Sequence, residues 1–272
     1  MRQMICVLLA ALGASVTAAP PSARPGWALV WSEEFDRDGA PDPARWGYER
    51  GFVRNHERQF YTADRRENAR IENGLLILEA RAESYANADV TSASLTTQGR
   101  AAWTYGRIEV RAQVPHLRGS WPAIWMLGTN IPAVGWPRCG EIDIMEHVGF
   151  DPARIHANLH TAAFNHTKRN GRGAKLAVAD ATRAFHVYAL EWRPDRIDLF
   201  VDDQKYLTVT KEPGHGPAEW PFDQPFYLIL NLAIGGAWGG QQGVDLAGLP
   251  VRFLVDYVRV YREQPPASAR SR

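Results

Sequence analysis

The sequence contains little cysteine, which limits how the fold can be stabilised. Only Cys6 and Cys139 occur among 272 residues. Cys6 lies in an apolar N-terminal run and lacks the pattern of a lipid-anchoring cysteine, so it is expected to be removed with that run. A single remaining thiol excludes an internal disulfide, so the fold must rely on its core, and a bound metal is the other candidate support. We expect Cys139 to be a small buried filler rather than a nucleophile.

Long hydrophobic runs are missing except at the N-terminus. Residues 1–18, MRQMICVLLAALGASVTA, contain an arginine, an apolar stretch and then small residues. The stretch is shorter than the roughly 20 residues that span a bilayer, so it predicts a signal peptide cleaved after Ala18. We therefore expect a secreted, extracellular or periplasmic protein without a membrane partner. Its mature domain would cover 19–263, and 264–272 would be a disordered tail.

No charge sign is in excess along the chain. Lys and Arg total 31 and Asp and Glu total 30, which gives a formal net charge of +1. The chain has no long run of one sign, so a nucleic-acid partner or a membrane-surface patch is not expected. It also lacks a glycine-rich loop of the phosphate-binding type, so we expect no organic cofactor. These absences indicate an uncharged partner.

Helical periodicity is nearly absent after the leader. Short alternating or apolar runs recur between clusters of Gly, Pro, Asn and Asp, for example over 74–83, 105–115, 185–206 and 225–236. This pattern is typical of an all-β sandwich. A chain of this length with 45% hydrophobic residues can bury one large core, and no linker or repeat divides it. We expect one domain and a monomer.

Tryptophan is abundant, with 10 residues. Trp121, Trp125 and Trp136 crowd just ahead of an acidic segment, and the first two would share a face of an extended strand. Their flat apolar faces suit the C–H faces of a pyranose ring, so we favour ligand contact for these three. Core packing is the alternative reading and is expected for Trp31, Trp46 and Trp192.

Three carboxylates interrupt the apolar stretch GEIDIMEHVG at 140–149. On a strand Glu141 and Asp143 share one face, whereas Ile142 and Ile144 turn to the other. Glu146 is out of phase with them unless a β-bulge absorbs one residue, and bulges are frequent beside active sites. The alternative is an edge strand with an acidic solvent face.

The spacing of these carboxylates predicts glycoside hydrolysis, in which paired carboxyl groups cleave the glycosidic bond. With a bulge, the Cα atoms of Glu141 and Glu146 lie roughly 13 Å apart at about 3.3 Å per residue. Inward-leaning side chains then leave about 5 Å between the carboxyl groups, which is the separation found in retaining enzymes. Asp143 lies between them and is expected to orient a neighbour and to help keep one glutamate protonated.

Other polar residues are predicted to line the same cleft. On the polar face of a predicted strand, His160 is expected to contact sugar hydroxyls, and His156 is the weaker candidate; a satisfied surface histidine is the alternative for both. Asn231 interrupts an apolar run, so it should face the cleft or cap a buried network. Asn55 and Glu57 offer donors and acceptors for hydroxyls, with a solvated loop as the alternative.

The segment EIDIME resembles the bulged Glu-x-Asp-x-x-Glu signature of glycoside hydrolase family 16, in its laminarinase-like branch. WSEEFD, WPAIWMLG, FHVYALEWRPDRIDLFVD and LVDYVRVY are also similar to this branch, and the likeness covers nearly the whole mature chain. The resemblance implies a β-jelly-roll sandwich of two curved antiparallel sheets with an open concave cleft. It also implies retaining endo-cleavage of β-1,3-glucan, and mixed-linkage β-1,3-1,4-glucan is a second candidate substrate.

The resemblance further implies a role for each site residue. Glu141 becomes the nucleophile, Asp143 its assistant and Glu146 the acid/base. The residues that become sugar platforms or hydroxyl contacts are Trp121, Trp125, Trp136, Asn55, Glu57 and His160.

Members of the family often hold a calcium ion on the convex side, and the matching positions are Glu33, the carbonyl of Gly74 and Asp256. Oxygen ligands of this kind suit Ca²⁺. For Asp256, which lies in an apolar strand, a surface ion pair is the alternative.

Three other functions use the same signature. Agarases and carrageenases cleave red-algal galactans, but their sulfated substrates would favour a basic cleft. Glucan-binding relatives usually lose a catalytic glutamate, and a transglycosylase would replace water with a sugar acceptor.

Two loops depart from the family pattern and are expected to border the cleft: Asn55-His56-Glu57, and TAAFNHTKRNGRGA at 161–174 in place of a glycine-rich run.

Overall fold

The computed structural model describes residues 24–265. The expected signal peptide, 1–18, and most of the expected tail, from 266 onward, lie outside the described residues. Within residues 24–265, no helix has the length and apolar character to cross a membrane. The described chain is almost entirely β-strand, as the alternating pattern predicts.

The larger sheet has ten strands in the order β15-β14-β13-β8-β17-β5-β6-β3, with β1 pairing β17 and β4 pairing β5. Its strands are β1 (Trp27–Glu33), β3 (Phe60–Tyr61), β4 (Ala69–Glu72), β5 (Leu75–Tyr85), β6 (Ala88–Ser92), β8 (Gly106–Gln113), β13 (His186–Arg193), β14 (Arg196–Val201), β15 (Gln204–Thr210) and β17 (Val251–Glu263).

The smaller sheet has seven strands in the order β12-β11-β10-β9-β16-β7-β2. They are β2 (Gly47–Tyr48), β7 (Ser94–Thr96), β9 (Ser120–Gly128), β10 (Glu141–Glu146), β11 (Arg154–His160), β12 (Arg172–Ala177) and β16 (Phe226–Ile234). The described helices are one turn each: α1 (Ile131–Val134) and a 3₁₀ helix (His166–Lys168). All strand pairs within this sheet are antiparallel.

Two hairpin turns join neighbouring strands of the larger sheet. Asn73 and Gly74 join β4 to β5, and their φ angles of 55° and 76° give the left-handed geometry that a two-residue hairpin turn requires. Asp202, with φ 53°, opens the turn between β14 and β15. These turns set the strand register of the larger sheet.

The main core lies between the two sheets, where the inner face of each contributes fully buried aliphatic side chains. Ile142 and Ile144 of β10 and Leu228 of β16 are all 0% exposed. Full burial of each such side chain contributes about 1.5–3 kcal/mol. The predicted core tryptophans are confirmed, because Trp46 and Trp192 are buried and Trp31 packs against the same cluster.

A second, smaller apolar cluster lies on the outer face of the seven-stranded sheet. It combines Ala123, Trp125 and Leu127 of β9 with Tyr227 and Ile229 of β16. Cys139 belongs to this cluster and is fully buried, and burial raises the pKa of its thiol to about 11. The prediction of a buried filler is therefore confirmed, and the cluster forms an apolar floor beneath the cleft described below.

Candidate active site

A β-bulge in β10 brings the three carboxylates to one face of the sheet. Opposite β11, Asp143 pairs with Asn158 and Glu146 with His156, so three steps along β10 match two along β11. The register against β9 shifts at the same place. The predicted bulge is thus confirmed. The edge-strand alternative is wrong, because β10 lies between β9 and β11.

The carboxylates open onto a cavity of about 1090 Å³ on the outer face of the seven-stranded sheet. A volume of this size accommodates several sugar rings or a drug-sized ligand. Its lining includes every residue predicted for catalysis or substrate binding: Glu141, Asp143, Glu146, Trp121, Trp125, Trp136, Asn55, Glu57, His160 and Asn231.

Two tryptophans orient the two glutamates through their indole N–H groups. Trp136 donates to Oε2 of Glu141 at 2.8 Å, and Trp121 donates to Oε1 of Glu146 at 3.0 Å. Hydrogen bonds to an ionised acceptor are stronger than neutral ones, so each fixes its carboxylate in place. The two rings therefore contact the carboxyl groups directly, in addition to walling the cleft.

Trp125 has a different position from the other two. Only 7% of it is exposed, its N–H donates to Asn231 at 2.7 Å, and the Arg54 guanidinium lies 4.8 Å from the centre of its ring. Asn231 in turn donates to the hydroxyl of Tyr61 at 3.0 Å. Asn231 thus both caps a buried network and faces the cleft, and Trp125 is part of the cleft floor with Arg54 over its face.

The loop before β3 contributes to the site at Glu57, where the solvated-loop alternative is wrong, whereas Asn55 is exposed, as that alternative predicts. Glu57 is 8% exposed and accepts hydrogen bonds from Asn55 at 3.2 Å, Gln59 at 2.8 Å and Tyr61 at 3.2 Å. Burial raises the pKa of Glu57 while Arg54 opposes the increase. The chain turns here through left-handed residues, with a φ of 55° at Asn55.

His160 lies beside the nucleophile candidate. Its Nε2 is 3.7 Å from Oε1 of Glu141 and 3.4 Å from Oδ2 of Asp143, and the side-chain amide of Asn158 lies 3.1 Å from the same nitrogen. His160 is only 4% exposed. His156, from the other end of β11, also lines the cavity, where its ring packs edge-on against Trp238 at 4.9 Å.

Burial raises the pKa of all three carboxyl groups. The pKa of Glu141 rises to about 8, by burial and then by the charge of Asp143, whereas Trp136 and His160 oppose the rise. The pKa of Glu146 rises to about 7, mainly by burial, against the hydrogen bond from Trp121. Burial, followed by the charge of Glu146, raises the pKa of Asp143 well above its usual value. Such close groups titrate together, so near neutral pH the cleft holds both neutral and ionised carboxyl groups.

Within the described residues, one cluster of three or more His, Cys, Asp and Glu has metal-ligand spacing: Glu141, Asp143 and His160, with ligand atoms within 4.8 Å. Trp136 donates to Oε2 of Glu141, and the side-chain amide of Asn158 lies 3.1 Å from Nε2 of His160. Among the described residues Oδ2 of Asp143 has no hydrogen-bond partner, so hydrogen bonds occupy only part of this cluster.

The expected calcium ligands lie near one another by strand register. Glu33 of β1 pairs with Val258, two residues beyond Asp256, and Leu76, two residues beyond Gly74, pairs with Val255. The donor types suit Ca²⁺. Both carboxylates have arginine partners, however: Arg45 at 3.7 Å from Glu33 and Arg111 at 2.6 Å from Asp256. The ion-pair alternative for Asp256 is therefore present in the structure.

Several cleft residues were missed from the sequence, among them a tryptophan, an arginine and a histidine. Trp238 packs edge-on against Trp121 at 5.5 Å, and its position in the glycine-rich run GGAWGG was the available signal. Arg54 covers Trp125, and His166 packs against Trp136 at 5.3 Å. The spacing of residues in the sequence could not reveal Arg54 or His166, because each lies in a loop that is distant in sequence from the ring it contacts.

A sugar-sized cleft with two oriented glutamates, one able to donate a proton and one able to attack, is characteristic of a glycoside hydrolase. Sequence comparison agrees with this class. The chain belongs to glycosyl hydrolases family 16, whose family description matches residues 56–259. It is 50% identical over 271 residues to a beta-glucanase of Rhodothermus marinus, and the alignment covers 96% of this chain and 95% of that protein.

Solved structures show the same fold. The laminarinase of Rhodothermus marinus matches with a TM-score of 0.84 and 51% identity, over 88% of this chain and 98% of that one. A mutant of a non-specific endo-β-1,3(4)-glucanase of the same family also gives a TM-score of 0.84, with 45% identity over 90% of this chain and 98% of that one. That mutant presents 1,3-β-D-cellobiosyl-glucose at its active site. The predicted family and jelly-roll fold are confirmed.

Proposed function

We propose that this protein is a retaining endo-β-1,3-glucanase that also hydrolyses mixed-linkage β-1,3-1,4-glucan. One observation carries the proposal: the bulge in β10 presents Glu141 and Glu146 to the same cleft, each held by an indole N–H. The similarity to glucanases over nearly the full chain supports glucan as the substrate.

In the proposed reaction Glu146 protonates the glycosidic oxygen while the Glu141 carboxylate attacks the anomeric carbon. The bond to the leaving sugar breaks, and a covalent glycosyl-enzyme forms. Glu146, now ionised, removes a proton from water, which attacks the anomeric carbon and releases Glu141. Two inversions at one carbon give net retention.

These roles require Glu141 to be ionised while Glu146 carries a proton, although the pKa of Glu141 is the slightly higher of the two. We assign the cluster's protons to Asp143 and Glu146. The Glu141 anion is favoured by the N–H of Trp136 and by His160, and a protonated Asp143 no longer carries the charge that raises the pKa of Glu141. In this assignment a neutral Asp143 lets Trp136 and His160 favour the ionised nucleophile.

The cleft does not favour the other functions of the signature. A glucan-binding protein needs no pair of oriented glutamates, and both are present here. A sulfated galactan would favour a strongly basic cleft, but Arg54 is ion-paired with Glu49, which leaves Lys175 as the lysine or arginine of the lining without an ion pair among residues 24–265. Transglycosylation uses the same residues and differs only in the acceptor.

Product analysis on four polysaccharides tests the substrate. Oligosaccharides from laminarin and lichenan, formed faster than any product from agarose or carrageenan, are expected. A preference for either galactan would overturn the proposal. Equal release of transfer products and hydrolysis products at low substrate concentration would instead assign a transglycosylase.

We also propose export through cleavage after Ala18, since a polysaccharide substrate lies outside the cell. N-terminal sequencing of the protein recovered outside the cytoplasm should begin at Ala19. A cytoplasmic protein that keeps Met1 would contradict export without affecting the catalytic proposal.

A further inference from the structure

Three aromatic rings pack against one another beside Glu141, and two of them lie next to its carboxylate. Trp136 and His166 lie 5.3 Å apart with their planes inclined by 31°, which is close to a stacked arrangement. His160 is 6.0 Å from Trp136 and 5.1 Å from His166, at 59° and 90°. Of these rings, Trp136 donates a hydrogen bond to Glu141 and His160 lies 3.7 Å from it. His166 contacts the other two rings.

The loop that carries His166 is fixed by its own hydrogen bonds. Asn165 is 1% exposed, donates to the carbonyl of Thr161 at 2.9 Å and accepts from Lys168 N at 3.2 Å. Asn170 accepts from Asn165 N at 3.1 Å and donates to the carbonyl of Ala163 at 3.0 Å. The 3₁₀ helix therefore begins at a defined place, and the position of His166 is built into the fold.

Trp136 needs support from such a neighbour. It is 37% exposed and lies in the connection between α1 and β10, so no sheet pairing holds its backbone. A small rotation of an exposed indole would turn its N–H away from Glu141. His166 packs against the indole, and among residues 24–265 its imidazole makes no side-chain hydrogen bond of its own. Its contribution to the site is the ring contact.

We propose that His166 is a positioning residue for the nucleophile, which it holds through Trp136. This rests on the proposed function, because it assumes that Glu141 attacks the anomeric carbon. The contact fixes the indole, the indole N–H fixes the Glu141 carboxylate, and a fixed carboxylate attacks without reorientation. The loop after His160, where this chain departs from its family's glycine-rich pattern, thus acts on the first chemical step.

Three variants test the proposal: His166→Ala removes the ring, His166→Phe keeps a ring of similar size, and His116→Ala removes an exposed histidine outside the cleft. On laminarin, His166→Ala should lower kcat by about 10- to 100-fold, the range expected for lost positioning, with KM changed far less. His166→Phe should restore most of kcat. His116→Ala should equal wild type.

A double-mutant cycle shows whether the effect passes through Trp136. In a Trp136→Phe background, where the indole donor is gone, adding His166→Ala should cause little further loss. Full additivity of the two losses would overturn the proposal. So would a loss of kcat in His166→Phe equal to that in His166→Ala, because the ring contact would then be irrelevant.

A spectroscopic readout is independent of turnover. In ¹⁵N-edited NMR spectra, the signal of the Trp136 indole proton is assigned by its loss in Trp136→Phe. In wild type and in His166→Phe, this signal should be shifted away from that of a free indole, and the proton should be protected from exchange with solvent. In His166→Ala it should lose both the shift and the protection. An unchanged signal would refute the contact. If wild type cleaves no β-glucan, the proposed function fails on that result, and the indole signal by itself decides whether His166 holds Trp136.

Discussion

Trp121 donates its indole N–H to Glu146, at 3.0 Å from Oε1. This bond is the main influence that opposes the increase in the pKa of Glu146 caused by burial. Two opposed effects therefore set the pKa of Glu146. The buried cleft favours its neutral form, and the indole N–H of Trp121 favours its anion. The balance leaves its pKa at about 7, where a group can both donate and accept a proton near neutral pH.

Trp121→Phe should move the alkaline limb of the kcat/KM profile to higher pH. Loss of the N–H removes a bond to the anion, so the pKa of Glu146 rises, and the protonated acid persists at higher pH. Phenylalanine keeps the ring packing against Trp238, and the melting temperature should change little. The measurement is a pH–rate profile on laminarin, and a limb that stays in place or moves to lower pH would contradict the role of Trp121.

The raised pKa values also predict how stability depends on pH. A carboxyl whose pKa is higher in the folded state binds its proton more tightly there. The stabilisation of the fold that results is fully present below the unfolded pKa of about 4.5 and is lost as pH rises toward 7–8. Asp143→Asn and Glu146→Gln, at the two groups to which the protons are assigned, should therefore be more stable than wild type at pH 8, by roughly 1–3 kcal/mol, and nearly equal to it at pH 5. Denaturant unfolding at both pH values measures this. If wild type instead gains stability relative to the variants as pH rises, burial does not raise the pKa of these carboxyl groups.

The two glutamates should differ in how they can be rescued. Glu141→Ala removes the nucleophile, and azide should restore turnover by attacking the anomeric carbon in its place. Glu146→Ala removes the acid, and only substrates with good leaving groups should still form the glycosyl-enzyme. Rates on aryl glycosides with and without azide separate the cases. Identical behaviour of the two variants would refute the role assignment.

We propose that calcium at Glu33, Gly74 and Asp256 stabilises the fold without taking part in catalysis. Saturation at 100 times the dissociation constant adds about 2.7 kcal/mol, so a chelator should lower the melting temperature and leave turnover at low temperature intact. Asp256→Asn should abolish the response, whereas the turn variant Asp203→Asn should retain it. If the chelator leaves the wild-type melting curve unchanged, the Arg111 ion pair alone accounts for Asp256.

Much of the fold and of the catalytic strand could be predicted from the sequence, because strands impose a two-residue period. Glu146 violates that period relative to Glu141, and the bulge is the physical consequence. The same period assigned Ile142 and Ile144 to the core. These features depend on neighbours in the chain and can be inferred from one segment.

The rest of the site depends on side-chain direction and on long-range packing. An indole in the sequence predicts an apolar face, but only the folded chain shows that the N–H groups of Trp121 and Trp136 point at carboxylates. Arg54 reaches Trp125 because its loop folds back over β9, far away in sequence. His166 likewise packs against Trp136 from a loop that is distant from it in the sequence.

The central claim is that Glu141 and Glu146 cleave a β-glucan by two successive displacements at one carbon. Proton NMR of laminarin hydrolysis, recorded before mutarotation, shows the anomer that forms first. The account predicts the β-anomer, followed by slow appearance of the α-anomer. An α-anomer formed first would mean a single inversion, and Glu141 would then not be the nucleophile.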